Sequence, residues 1–152
     1  MTLPPQPGTG ARTLYELCFG RSDLPRLRAD VERAATAAGI GRERVADLVL
    51  AAHELAVNSV THGGGHGRLR LRAEGGDLVC EVADHGMLGD AAADIEPPAL
   101  TGAGGAGLWI ARQASDAFTI GRAPQGGTVA RMRFALSAGE GTQRENPGRE
   151  QC

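Results

Sequence analysis

Apolar positions recur along this chain in two rhythms, and each change of rhythm marks an element. The longest helical stretch runs from Val45 to Gly63, VADLVLAAHELAVNSVTHG. At about 100° per residue, Val45, Leu48, Val49, Ala52, Ala56 and Ser59 share one apolar or small face. Leu50 and Val57 lie on another side, so protein is expected to cover this helix around most of its girth. It should begin near Arg42 and stop at the run Gly63 to Gly65. A shorter helix is expected before it. Ser22 or Asp23 would cap it, Pro25 suits its first turn, and Leu24, Leu27, Val31 and Ala34 or Ala35 form its buried stripe. Gly39 and Gly41 end it after Ala38.

Elsewhere the period drops to two. Thr13 to Phe19, with Leu14, Leu17, Cys18 and Phe19, reads as a first strand. Arg68 to Ala73 sets Arg68, Arg70 and Arg72 against Leu69, Leu71 and Ala73, as a half-buried strand does. Gly75-Gly76 signals a hairpin into Asp77 to Asp84, which turns Leu78, Cys80 and Val82 inward and Val79 and Glu81 outward. A further alternating run, Thr128 to Leu136, buries Ala130, Met132, Phe134 and Leu136. Between these strands lie a long segment, His85 to Ala106, and a helix expected over Leu108 to Ala117.

Composition narrows the class. With 152 residues, 41% hydrophobic and 22% charged, the chain has material for one domain. Thr13 to Leu136 should form it, between a flexible Met1 to Arg12 and a disordered tail, Ser137 to Cys152. A net charge of −2 gives no general attraction to nucleic acid or anionic membrane. The arginine stripe therefore reads as the solvated face of a one-sided antiparallel sheet. No apolar run nears the roughly 18 residues that span a bilayer, and MTLPPQPGTG lacks the regions of a secretory signal. Three widely spaced cysteines fit neither a disulfide framework nor a zinc site, so a cytoplasmic chain with reduced thiols is expected.

Several polar residues are candidates for chemistry. Glu54 and Asn58 lie one helical turn apart on a common face, as a solvated strip or as part of a site. Asp84 and Thr128 share the inward parity of their strands. An inward carboxylate needs donors, from a local Asp84-His85-Gly86 turn or from a pocket floor. The run Thr101 to Gly107 opens directly into a helix, an arrangement suited to phosphate, although it could equally be a flexible connector. It is neither a Walker A loop nor a Rossmann loop. His62 and His66 flank a glycine run and read as loop histidines.

Taken in order, Glu54-x-x-x-Asn58, Asp84-x-Gly86, Gly105-x-Gly107-Leu108 and Gly126-Gly127-Thr128 resemble the N, G1, G2 and G3 boxes of the GHKL ATPase superfamily. The single-domain length, HELAVNSVTHGGG and GLWIARQASD are similar to the RsbW-type anti-sigma factor serine/threonine kinases. The resemblance covers Leu14 to Leu136. It implies a two-layer α/β fold, a mixed and mostly antiparallel sheet with helices on one face, binding ATP and Mg²⁺. By resemblance, Glu54 is the general base, Asn58 the Mg²⁺ ligand, and Asp84 the acceptor for the adenine amino group. Gly86 leaves room for the base, and Thr128 supports the Asp84 contact. Gly102, Gly104, Gly105 and Gly107 form a lid that leads into Leu108. The implied partners are a sigma factor and a STAS-type anti-anti-sigma protein whose serine is phosphorylated, with a homodimer by family analogy. Leu88 stands where the G1 box usually has a second glycine, and Ala106 where relatives often carry a polar residue. Both departures bear on turnover more than on binding, which leaves a nucleotide-gated binding module as the alternative.

Overall fold

The computed structural model describes residues 11–86, 106–124 and 126–136. The expected flexible N-terminal segment up to Gly10, the tail from Ser137 and the long segment 87–105 lie outside the described residues. The five strands are β1 (Arg12–Gly20), β2 (His66–Glu74), β3 (Asp77–Asp84), β4 (Ala117–Arg122) and β5 (Thr128–Ala135). They form one sheet in the order β1-β2-β3-β5-β4. Every described pairing is antiparallel, so the mostly antiparallel expectation holds in its fullest form. The helices are α1 (Leu24–Ala38), α2 (Arg42–His62) and α3 (Ala106–Ala114). They cover the face to which Leu17, Phe19, Leu69, Leu71, Leu78, Cys80, Val82, Ala130, Met132 and Phe134 point.

Local chemistry accounts for the boundaries. Gly39 ends α1 in the left-handed conformation, φ 94°. Gly75 and Gly76 both adopt positive φ, 58° and 85°, the requirement of a two-residue turn between twisted strands. Asp23 occupies the N-cap of α1, but its carboxylate accepts the Gly20 N–H at 2.9 Å and so closes the turn that precedes the helix. A bulge at Leu14 in β1 shifts the register, after which Tyr15, Leu17 and Phe19 face the core. The Tyr15 hydroxyl reaches α1 and donates to Asp30 Oδ2 at 2.7 Å.

The structure corrects several expectations. Helix α3 stops at Ala114, and Ala117 opens strand β4. Phe118 and Ile120 of β4 alternate inward against Met132 and Ala130, a short signal that the extended helix reading overran. Val79 points outward yet is fully buried, and Arg72 and Arg133, whose long side chains can shield apolar surface, stand beside it on the neighbouring strands. Those arginines are held by acids on the same face. Glu81 takes Arg72 at 3.2 Å and Arg131 at 2.8 Å, while Glu16 takes Arg70 at 3.4 Å. The three thiols are not all reduced. Cys18, half-buried on the outward face of the edge strand β1, is disulfide-bonded, whereas Cys80 is free and buried on the core face. Nor is α2 covered all round: Leu50 is 49% exposed. No helix among the described residues is long and apolar enough to cross a membrane.

Candidate functional site

Asp84 ends β3 on the core side of the sheet and keeps only 9% of its surface exposed. Two donors hold its carboxylate. Ser59 Oγ, from α2, donates to Oδ2 at 2.7 Å, and the Gly86 N–H donates to Oδ1 at 2.8 Å. A carboxylate has about four acceptor positions, so lone pairs remain for a ligand amine. The local-turn and pocket-floor readings thus both apply, because the Gly86 bond is the turn and the Ser59 bond ties that turn to α2. Thr128, opposite Asp84 in the β3–β5 register, is buried. Its hydroxyl donates to the Gly86 carbonyl at 3.3 Å, so it reaches Asp84 through the turn and not through the carboxylate.

Glycine is required around this carboxylate by lack of space. A Cβ on Gly63 would lie 2.4 Å from Asp84 Cγ and Oδ2, and one on Gly86 would lie 2.4 Å from Gly63 Cα. Gly127, at φ 90°, passes so near that a Cβ would stand 2.0 Å from the Asp84 carbonyl oxygen. The end of α2, the β3 turn and the start of β5 therefore converge at backbone contact distance. His66 and His85 border this region, with ring centroids 6.0 Å apart.

Helix α3 completes the site. Its first turn places Gly107 against α2, where a Cβ would meet Glu54 Oε2 and Asn58 Nδ2, each at 3.2 Å. Leu108 is buried in the core and fixes the start of the helix. At the other end, Arg44 of α2 donates to the Ala114 carbonyl at 2.7 Å, pairs with Asp116 at 2.8 Å, and stacks on Phe134 at 4.8 Å. The structure thus brings Glu54, Asn58 and Gly107 together at one place, and Asp84, Gly86 and Thr128 at another. Adjacent residues of α2, Asn58 and Ser59, join the two places. Gly102, Gly104 and Gly105 lie outside the described residues.

Ser59 is a member of this site that its apolar face concealed. The signal was present, since a hydroxyl on the core stripe of a helix needs a partner and Asp84 is an inward acceptor. Among the described residues no group of three or more His, Cys, Asp or Glu side chains is arranged to hold a metal. Among the described residues, the one strongly displaced ionisation lies elsewhere: burial, with Glu81 adding, pushes the Cys80 thiol up to about 12.

Comparison with known proteins agrees with this fold. The RsbU and RsbW domains of Rv1364c from Mycobacterium tuberculosis have a similar fold, with a TM-score of 0.58 and 20% identity. The match covers 80% of this chain and 32% of that one. No match is found among curated proteins. Residues 21–134, which include Glu54, Asn58, Asp84, Gly107 and Thr128, match the family profile described as the histidine kinase-like ATPase domain. The match spans most of the sequence and every element of the site, so the chain belongs to the histidine kinase-like ATPase family.

Proposed function

We propose that this protein binds ATP with Mg²⁺ and acts as an RsbW-type anti-sigma factor regulator. It phosphorylates a serine on a STAS-type anti-anti-sigma partner and sequesters a sigma factor. The observation that carries this reading is the close packing of Gly107 on Glu54 and Asn58, where an added Cβ would stand only 3.2 Å from Glu54 Oε2 and Asn58 Nδ2. It gives a glycine-headed helix terminus and a carboxylate–carboxamide pair a common edge, the juxtaposition that phosphoryl transfer needs. The fold shared with an RsbW-containing chain supports the choice of regulator.

The donor set suits the expected ligands. Magnesium usually keeps several waters and takes phosphate oxygens, so Asn58 as a single protein ligand fits it better than a closed protein cage would. Bound Mg²⁺ would supply neutralisation of phosphate charge. Asp84 accepts from the exocyclic amine of the base through its free lone pairs, with Gly86 and Thr128 holding the turn. Glu54 takes the proton of the acceptor serine as its oxygen bonds to the γ-phosphorus and the bond to the ADP oxygen breaks. Gly102, Gly104, Gly105 and Gly107 form the lid, and Leu108 anchors it to the core.

A second reading is a nucleotide-gated binding module with little or no kinase activity. Leu88 and Ala106, at positions where relatives carry glycine and a polar side chain, favour it. Radiolabelled ATP and a STAS-type protein separate the two readings. Label on the partner's serine that Glu54→Ala abolishes supports the kinase. ATP binding in calorimetry without label supports the module. Failure of the intact protein to bind ATP refutes both.

A further inference from the structure

Helix α2 carries an apolar stripe that the described residues leave open. Arg42, Val45, Ala46, Val49, Leu50 and His53 follow one another at helical spacing along its outer side. Arg28, Glu32 and Thr36 form a matching stripe on α1, and Ile40 joins the two. Between them runs an open groove of about 680 Å³. Its floor is apolar, since Ile40 and Val45 are buried there, and Leu50 stands 49% exposed along it. This is the side on which the sequence pattern called for cover, and the described residues supply none.

Charge along the groove selects the occupant. Arg28 and Arg42 lie exposed on its two walls, and neither takes part in the ion pairs found among the described residues. Glu32 is the one acid in the lining. His53 adds a buried Nδ1 with no hydrogen-bond partner. A second copy of this chain would set these arginines against their own kind, which costs affinity. An acidic partner would meet them with complementary charge. The stripe from Arg42 to His53 is roughly 17 Å long at about 1.5 Å per residue, three turns of helix. Two helices with a trough between them accept a third helix laid along the trough.

We propose that the α1–α2 groove is a docking surface for an acidic amphipathic helix of a protein partner. Apolar residues of the helix at i, i+3, i+4 and i+7 cover Val49 and Leu50, and flanking Asp or Glu residues pair with Arg28 and Arg42. The surface adjoins the Ser59 stripe at Val45 and Val49 and extends away from it through Ala46 and Leu50, and the proposal does not depend on nucleotide chemistry.

The test selects a displayed library of 15-residue helices against the intact purified protein. The apolar positions are fixed and the flanking positions randomised. Two exposed substitutions, Leu50→Glu and Arg42→Glu, are used as counter-targets after circular dichroism shows them folded. The expected winners carry Asp or Glu beside the apolar stripe. They lose at least tenfold in affinity for Leu50→Glu, and Arg42→Glu shifts preference toward Lys-flanked helices. Winners that bind Leu50→Glu undiminished, winners without acidic enrichment, or no enrichment above scrambled helices would each overturn the proposal. A dimer in sedimentation analysis that Leu50→Glu dissociates would overturn it too, by assigning the groove to a second copy.

Discussion

Replacing Ser59 with alanine tests whether Asp84 is held from α2. The hydroxyl and the carboxylate are both buried, at 2% and 9% exposure, and their bond is 2.7 Å long. Alanine removes one oxygen and adds no bulk, so packing is otherwise unchanged. Asp84 Oδ2 then loses its donor where little water can replace it, and Oδ1 keeps only the Gly86 N–H. A hydrogen bond to a charged group contributes about 1.5–3 kcal/mol, and a buried acceptor left unmade costs a similar amount. Ser59→Ala should therefore lower the unfolding free energy by about 2 kcal/mol in urea titrations, with an unchanged slope. The effect belongs to a pair, so a cycle with Asp84→Asn should return a coupling of about 1 kcal/mol or more. Calorimetric titration adds a functional arm, in which ATP binding should weaken because the carboxylate is free to turn. A Ser59→Ala protein within about 0.5 kcal/mol of the parent, with no coupling to Asp84, would refute the claim that this bond fixes the pocket floor.

Other substitutions report on neighbouring contacts. Gly63→Ala would drive a Cβ to 2.4 Å from Asp84, and should cost about 1–3 kcal/mol, whereas Gly121→Ala, with nothing within 4 Å, should stay within about 0.5 kcal/mol in the same denaturation assay. Arg44→Met should cost about 1–2 kcal/mol and make the α2–α3 contact exchange amide hydrogen faster, since the guanidinium bonds Ala114 and stacks on Phe134. Arg44→Lys should not restore it, because an ammonium cannot do both at once. Cys80 should resist thiol reagents until the protein unfolds. Its thiol is raised from 9.0 to about 12, so the folded state holds the proton more tightly than the unfolded chain. The stability from that difference is complete below about pH 9 and is lost as pH rises toward 12. The advantage over Cys80→Ala should shrink across that window in pH-dependent unfolding.

Much of the fold was legible because its signals are local. The limits of α2 follow from a long helical period between glycines, and the β2–β3 hairpin from alternation around Gly75-Gly76. The inward parity of Asp84 and Thr128 was readable residue by residue, and they do face each other across the β3–β5 ladder. What escaped depends on neighbours distant in the chain. Val79 is buried where its register places it between arginines on two other strands, which its own alternation cannot reveal. Strand β4 is short, and a glycine near its end weakens its period. Ser59 read as a small residue on an apolar stripe, because its partner lies 25 residues away. Leu50 failed in the opposite sense, since a helical pattern registers apolar surface without saying whose surface will cover it.

The placement of β5 between β3 and β4 has a consequence for the chain as it leaves the ribosome. When α3 has emerged, β1, β2 and β3 can already pair and accept α1 and α2, but β3 still shows a bare edge. That edge includes Asp84, whose turn lacks Thr128 and the close backbone of Gly127 until β5 arrives. A stalled or truncated product ending before β5 would thus carry an adhesive strand and no finished pocket. Completion of the pocket is tied to synthesis through β5: the same strand that covers the β3 edge also closes the site.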